Sequence, residues 1–355
     1  MTASPPPVLG GTAGMLAREL ELCGVTPAET VIVYSDEGGR PELFSGFSTA
    51  AQLLGATVLE LRVPRKPRVP GQTGPDHWWT TASEAIARQL SLADLVVDVS
   101  GGGLFHAGQD QILATGARIL RAREPLRRLE ALFPTPAVTE HARRSGELLA
   151  GSESIRFTSP SGTDLHVNMP GRPVTVQYGY TDTPGRWDHF GTALAALAPA
   201  EGEGEGEYVL APGDVVFFTA TVGRYVTEPL RVRFHAGVIE SITGGIEAQM
   251  LQELIERGGG GDARRLSHIG WGCDPRADFN GVDLYGREGG GGADVRSVYG
   301  SVVIAFGANN DLGGSSVSSV HVDLAARVAS VEVDERPVLV DGEFEPPELR
   351  IASRR

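Results

Sequence analysis

The feature that most limits how this chain can fold is a change of hydrophobic period near residue 150. Before it, short apolar runs alternate with helical stretches. Val31-Ile32-Val33-Tyr34 is a buried-strand run, and a helical pattern over 42–54 follows. Next come a strand pattern over 57–63, a helix over 80–90 and the run Leu95-Val96-Val97-Asp98-Val99. Strands that alternate with helices form a parallel sheet, because a parallel neighbour is reached only through a crossover. After about Gly151 strands take over, at 155–158, 164–168 and 174–180. The turn Ala211-Pro212-Gly213-Asp214 feeds a strand at 215–218, and 231–236 with 238–242 read as a hairpin. A helix is expected over 245–257, and strands over 298–306 and 321–333. The expected class is therefore α/β: an N-terminal α/β domain with a parallel sheet (1–150) plus a C-terminal β-rich α+β domain (151–355) carrying the candidate metal site.

In open α/β sheets ligands collect at the carboxyl ends of the strands. This puts the loop Ser100-Gly101-Gly102-Gly103-Leu104-Phe105-His106 at a functional edge. A dinucleotide fingerprint is excluded there, since His106 stands where its last glycine is required and the strand is the third of its domain. No Gly-Lys-Ser/Thr follows, so the loop is not a P-loop either. The alternating Glu and Gly over 201–207 read as a flexible exposed insertion, and the basic clusters at 62–68 and 118–128 as solvated faces.

Composition removes several function classes. A net charge of −14 argues against nucleic acid as a partner, because phosphate binding needs clustered Lys and Arg. Two cysteines, Cys23 and Cys273, are too few and too far apart for a disulfide framework, which points to a reducing cytoplasm. No apolar run approaches the roughly 18 residues that span a bilayer, and residues 1–9 show no basic region followed by an apolar stretch. No membrane association is expected.

The chemistry concentrates in two segments, Ser267-His268-Ile269-Gly270-Trp271-Gly272 and Ser318-Ser319-Val320-His321-Val322-Asp323-Leu324. In an extended strand, side chains two apart share a face. His321 and Asp323 can then grip one ion, with His268 delivered from elsewhere. Two imidazoles and one carboxylate with open coordination positions suit non-haem Fe(II) and O2 chemistry, although zinc also accepts such ligands. Cys273, five residues after His268, reads as a small buried side chain.

With Arg296-Ser297-Val298-Tyr299-Gly300, Phe306-Gly307-Ala308-Asn309 and His321-Val322-Asp323, these segments resemble the 2,5-dihydroxypyridine 5,6-dioxygenases, relatives of the aminopeptidase T-like metallopeptidases. Leu104-Phe105-His106 and Trp187-Asp188-His189 are further landmarks. The resemblance implies iron held by His268, His321 and Asp323, and O2-dependent opening of a hydroxylated pyridine to N-formylmaleamate. It implies a small aromatic substrate, O2 as co-substrate and a homo-oligomer. A histidine titrating near neutrality suits the proton transfers, which makes His106 and His189 the expected catalytic residues. Leu104, Phe105, Tyr299 and Ser301 are the positions expected against the ring. The rival reading is a metal-dependent aminopeptidase of the aminopeptidase T-like group, which needs ligands for a second metal. Glu247 and Glu288 are the available acids, but no histidine lies between Glu288 and His321.

Overall fold

The computed structural model describes residues 11–64, 84–101, 104, 109–219, 222–285 and 292–351. Phe105, His106, Glu288, the 80–83 start of one expected helix and the 65–68 part of one basic cluster lie outside them.

The chain forms two compact units. Of the described residues, 11–64, 84–133 and 179–190 make the first, and 134–178 and 191–351 the second. The first holds a five-stranded parallel sheet in the order Thr57–Val63, Thr30–Asp36, Leu95–Asp98, Arg118–Arg121, Trp187–His189. Its three inner strands are almost entirely buried, which explains the apolar runs Val31–Tyr34 and Leu95–Val97 in two of them. At their carboxyl ends the loops are tied by buried acids. Asp36 Oδ1 accepts from Gly38 N and Gly101 N, both at 2.8 Å, and Asp98 Oδ2 accepts from Leu104 N at 2.6 Å.

The arginines at 118–128 depart from the expected solvated face. Arg118, Arg121 and Arg128 are buried. Arg118 pairs with Glu29 Oε1 at 2.6 Å, while Arg121 donates to Leu104 O and Gln109 Oε1 and lies 4.5 Å from the Trp187 ring centre. A guanidinium enters a sheet interior when its donors find carbonyls and acids there, and the sequence pattern does not display those partners.

The second unit contains two antiparallel sheets. The eight-stranded one runs Val238–Thr243, Leu230–His235, Glu205–Leu210, Asp164–Asn168, Ser154–Thr158, Ser330–Val333, Arg336–Val340, Glu343–Phe344. The Glu-Gly stretch expected to be a flexible insertion thus becomes part of an interior strand. Gly206 is needed there, with φ +121° and a Cβ position only 2.0 Å from Asp164 O, so the low-complexity look reflects close strand approach. The seven-stranded sheet runs Val222–Tyr225, Val215–Thr219, His321–Ala326, Val302–Gly307, Leu266–Gly272, Leu194–Leu197, Val174–Gln177. The single strand expected over 321–333 is two strands, one in each sheet, and that expected over 298–306 begins only at Val302. Tyr208, from the eight-stranded sheet, donates its hydroxyl to Val302 O at 3.2 Å where the two sheets meet. Among the described residues, no helix is long and apolar enough to cross a membrane.

Helix Pro136–Ala150 belongs to this β-rich unit rather than closing the α/β one. Thr135 caps it, Pro136 occupies its first turn and Gly151 follows its end. Trp271 Nε1 donates to its Ser145 Oγ at 3.1 Å. Its His141 packs against the rings of Tyr299 and Phe344, with centroids 5.0 and 4.6 Å away. Burial pushes this imidazole down to about 4, against a smaller upward pull from the Leu349 backbone.

Such a group takes its proton on unfolding. Its stabilisation is therefore present above about 6.5 and lost as pH falls through about 4, roughly 3 kcal/mol in all. Urea unfolding across that range should show the loss, and His141→Phe should flatten it. The same slope in both proteins would contradict the packing of this ring.

Candidate metal centre

His268 lies on Leu266–Gly272 and His321 with Asp323 on His321–Ala326, with Val302–Gly307 between the two strands. His268 stands opposite Ala305, and Ala305 opposite Asp323. Directly opposed residues project to one face, so these three side chains form a row across three strands. The ends of that row are two strand spacings apart, roughly 9–10 Å, and only a methyl group separates them. The imidazole and the carboxylate lean over Ala305 until His268 Nε2 is 3.0 Å from Asp323 Oδ1. His321 shares the face, and its Nε2 is 3.3 Å from the same oxygen. One donor atom from each residue lies within 4.8 Å of the others.

A β-bulge makes the row possible. Leu266 pairs with Phe306 but His268 pairs with Ala305, so Ser267 is an inserted residue. Phe306 and Ala305 are adjacent and face opposite ways; Leu266 and His268 must do the same. In a regular strand those two would share a face, which would turn the imidazole away from Asp323. The bulge is pinned by Ser267 Oγ donating to Ala308 O at 2.6 Å and by Asn309 Nδ2 donating to Ser267 O at 3.2 Å. Gly307, opposite His321, has φ +104° and a Cβ position 2.0 Å from Val320 O, so only glycine fits that turn.

Hydrogen bonds fix which atoms face the centre. His321 Nδ1 donates to Ala308 O at 2.8 Å, which leaves the Nε2 lone pair toward Asp323. His268 Nδ1 is buried with no hydrogen-bond partner among the described residues, so packing orients that ring. Asp323 Oδ2 is taken by Arg296, whose Nε donates at 2.6 Å and whose Nη2 also contacts it. Burial alone would raise the Asp323 carboxyl, yet the Arg296 guanidinium, His321 and His268 outweigh it and hold it well below the usual carboxylate range. Burial pushes His268 down. It pushes His321 down as well, but the Asp323 charge overcomes this and the net direction is up. An ionised carboxylate thus meets two imidazole nitrogens around a point that calls for a cation. This donor set fits a metal ion, and Ala305 leaves the room for it.

Of the remaining sequence candidates, Leu104 and His189 belong to the first unit and Tyr299 and Ser301 to the second. Leu104 is buried, held at its N–H by Asp98 and at its carbonyl by Arg121. His189 is half-buried on the edge strand Trp187–His189, with Nε2 3.3 Å from Arg121 Nη1. Tyr299 donates its hydroxyl to Leu349 O at 2.8 Å and accepts from Ile351 N at 3.1 Å. Ser301 is buried, 3.5 Å from Val295 O. Cys273 is buried with its thiol pushed up to about 12, chiefly by that burial, as expected for a packing residue. Sequence reasoning missed Arg296, Ala305 and the Ser267 bulge. Of these, Arg296 stood in the segment Arg296-Ser297-Val298-Tyr299-Gly300 on which the sequence resemblance rests.

Comparison with known proteins identifies the family. A family model described as NicX, 2,5-dihydroxypyridine 5,6-dioxygenase, matches residues 12–346. The 2,5-dihydroxypyridine 5,6-dioxygenase of Pseudomonas putida KT2440 is 32% identical over 340 residues, 94% of this chain and 96% of that one. The chain belongs to the 2,5-dihydroxypyridine 5,6-dioxygenase family. A solved structure of the 2,5-dihydroxypyridine dioxygenase from the same organism superposes with a TM-score of 0.88 at 31% identity, over 96% of this chain and 98% of that one. AmpT from Thermus thermophilus follows with a TM-score of 0.60 at 18% identity, over 94% of this chain and 100% of that one, a likeness that bears on fold alone. Among the described residues, His268, His321 and Asp323 are the one group of three such donors close enough to share an ion. Glu247, an acid that a two-metal peptidase could use, faces Thr227 Oγ1 at 3.4 and 3.5 Å.

The row across Ala305 makes a direct prediction. Ala305→Leu fills the space between His268 and Asp323 while replacing neither ligand. It should weaken divalent metal binding by roughly 10–100-fold while the circular dichroism spectrum stays unchanged. Wild-type affinity by equilibrium dialysis would refute the placement.

Proposed function

We propose that this chain opens the ring of a hydroxylated pyridine of the 2,5-dihydroxypyridine type with O2, at one Fe(II) ion held by His268, His321 and Asp323. The observation that carries this reading is the meeting of two imidazoles and one carboxylate over Ala305 in a chain of this family. Fe(II) bound there supplies open positions for a chelating ring and O2, and the redox step that lets the two react. The protein's residues do the rest. Asp323 stays ionised beside Arg296, so no proton competes for its free oxygen. Ala308 O keeps His321 in the tautomer whose Nε2 lone pair faces the centre.

His106 and His189 handle the protons of the substrate hydroxyl and of the oxygenated product. Guanidinium only donates, so His189 Nε2 accepts from Arg121 Nη1 and Nδ1 carries the exchangeable proton. Leu104, Phe105, Tyr299 and Ser301 are the positions this reading sets against the ring. Tyr299, whose hydroxyl already serves Leu349 and Ile351, contributes shape there. The reading also carries a homo-oligomer in the cytoplasm.

Oxygen uptake by anaerobically prepared protein loaded with Fe(II) tests the reaction. With 2,5-dihydroxypyridine, uptake should depend on iron and match the loss of aromatic absorbance. An iron-loaded protein that consumes no O2 with any hydroxylated pyridine sinks the reading. His189→Ala should keep its iron and lower turnover by about 10²–10⁴-fold, the span for a general acid or base. Unchanged turnover across the pH range removes His189 from the reaction.

A further inference from the structure

In the proposed reaction Arg296 keeps Asp323 ionised, and its geometry is more specific than that task requires. It sits near the end of the short helix Gly292–Ser297 and directs two nitrogens, Nε and Nη2, at the same oxygen, Asp323 Oδ2. Its guanidinium carbon lies 4.4 Å from the centre of the Phe217 ring. Phe217 is the residue opposite Asp323 on the neighbouring strand Val215–Thr219. The register that places Asp323 therefore also places the aromatic ring that holds the arginine against it. A planar guanidinium can stack on an aromatic face while it directs a fork of donors at one carboxylate. The other oxygen, Oδ1, points to His268 Nε2 and His321 Nε2 at 3.0 and 3.3 Å.

We infer that Arg296 is a positioning residue that limits Asp323 to one-oxygen ligation and so keeps one coordination position of the bound ion open. The inference rests on the metal reading above. A carboxylate with both oxygens free can close on a cation through both of them and take two positions. On an octahedral ion with two imidazoles, that leaves two positions, too few for a chelating ring and O2 together. With Oδ2 held by Arg296, Asp323 offers only Oδ1 and a third position stays available. The arginine also makes the loaded site strongly positive, which favours a chelate that has lost a hydroxyl proton.

Mn(II) is the probe, because it shares the octahedral preference and its directly bound waters can be counted by ENDOR in H2O against D2O. Full-length wild-type protein should hold Mn(II) with three waters, and Arg296→Gln should hold it with two, the freed Oδ2 having closed on the ion. Arg296→Lys, which returns a charged donor to Oδ2, should restore the third water, a rescue that a merely structural role would not give. Three waters in both wild type and Arg296→Gln overturn the role of Arg296 and leave the metal reading intact. Failure of the wild type to bind Mn(II) or Fe(II) overturns the metal reading, and this inference with it. The wild-type count is decisive even if Arg296→Gln does not fold, since two waters there mean that Asp323 already ligates through both oxygens.

Discussion

A carboxylate buried inside a sheet is the constraint on which this centre depends. Leaving such a charge uncompensated costs several kcal/mol, and Asp323 is almost wholly inaccessible. Its two oxygens are answered from opposite sides, Oδ2 by Arg296 and Oδ1 by the two imidazoles. Charged hydrogen bonds of this kind contribute about 1.5–3 kcal/mol each, which is the scale needed to offset the burial. The arginine needs a surface to lie on, and Phe217 provides it. The imidazole of His268 needs a path to the acid, and the small Ala305 provides that.

The centre is built on strands, and that gives it precision. His268, Ala305, Asp323 and Phe217 lie opposite one another on four neighbouring strands, and the ladder hydrogen bonds that fix the register also fix the donor atoms. Two residues further along the same rows, Val303, Ala325 and Val215 share this face and pack with Phe279 and Val295. The short helix that carries Arg296 is seated by that cluster through Val295. The other face of the sheet holds Ile304, Phe306, Val322 and Leu324, all buried. A shift of one residue in any of these strands would turn ligands and apolar side chains inside out, so burial itself guards the register.

Local patterns made part of this legible. Apolar runs separated by helical stretches disclosed the parallel sheet, and the spacing of His321 and Asp323 disclosed a shared face. Other elements were hidden for physical reasons. Helix Pro136–Ala150 carries clear punctuation in Thr135, Pro136 and Gly151, but its contacts assign it to the β-rich unit, and contacts are not local. The strand Trp187–His189 has three residues, too few for any period to register, and it joins its sheet after a long excursion through the other unit. Arg118 and Arg121 looked solvated because charge normally is, and Glu205–Leu210 looked disordered because alternating Glu and Gly normally are. In both cases a partner distant in sequence reversed the expectation.

The sequence by itself determined the alternation of elements, the change to strands after residue 150 and the pairing of His321 with Asp323, since each follows from backbone periodicity over a few residues. Only the tertiary structure decided that His268 meets them. That meeting requires an inserted residue at Ser267, a register linking positions 268, 305 and 323, and an arginine at 296 turned onto the second carboxylate oxygen. The reason is that strand register is set by burial and pairing across the whole sheet, and no stretch of a few residues contains it.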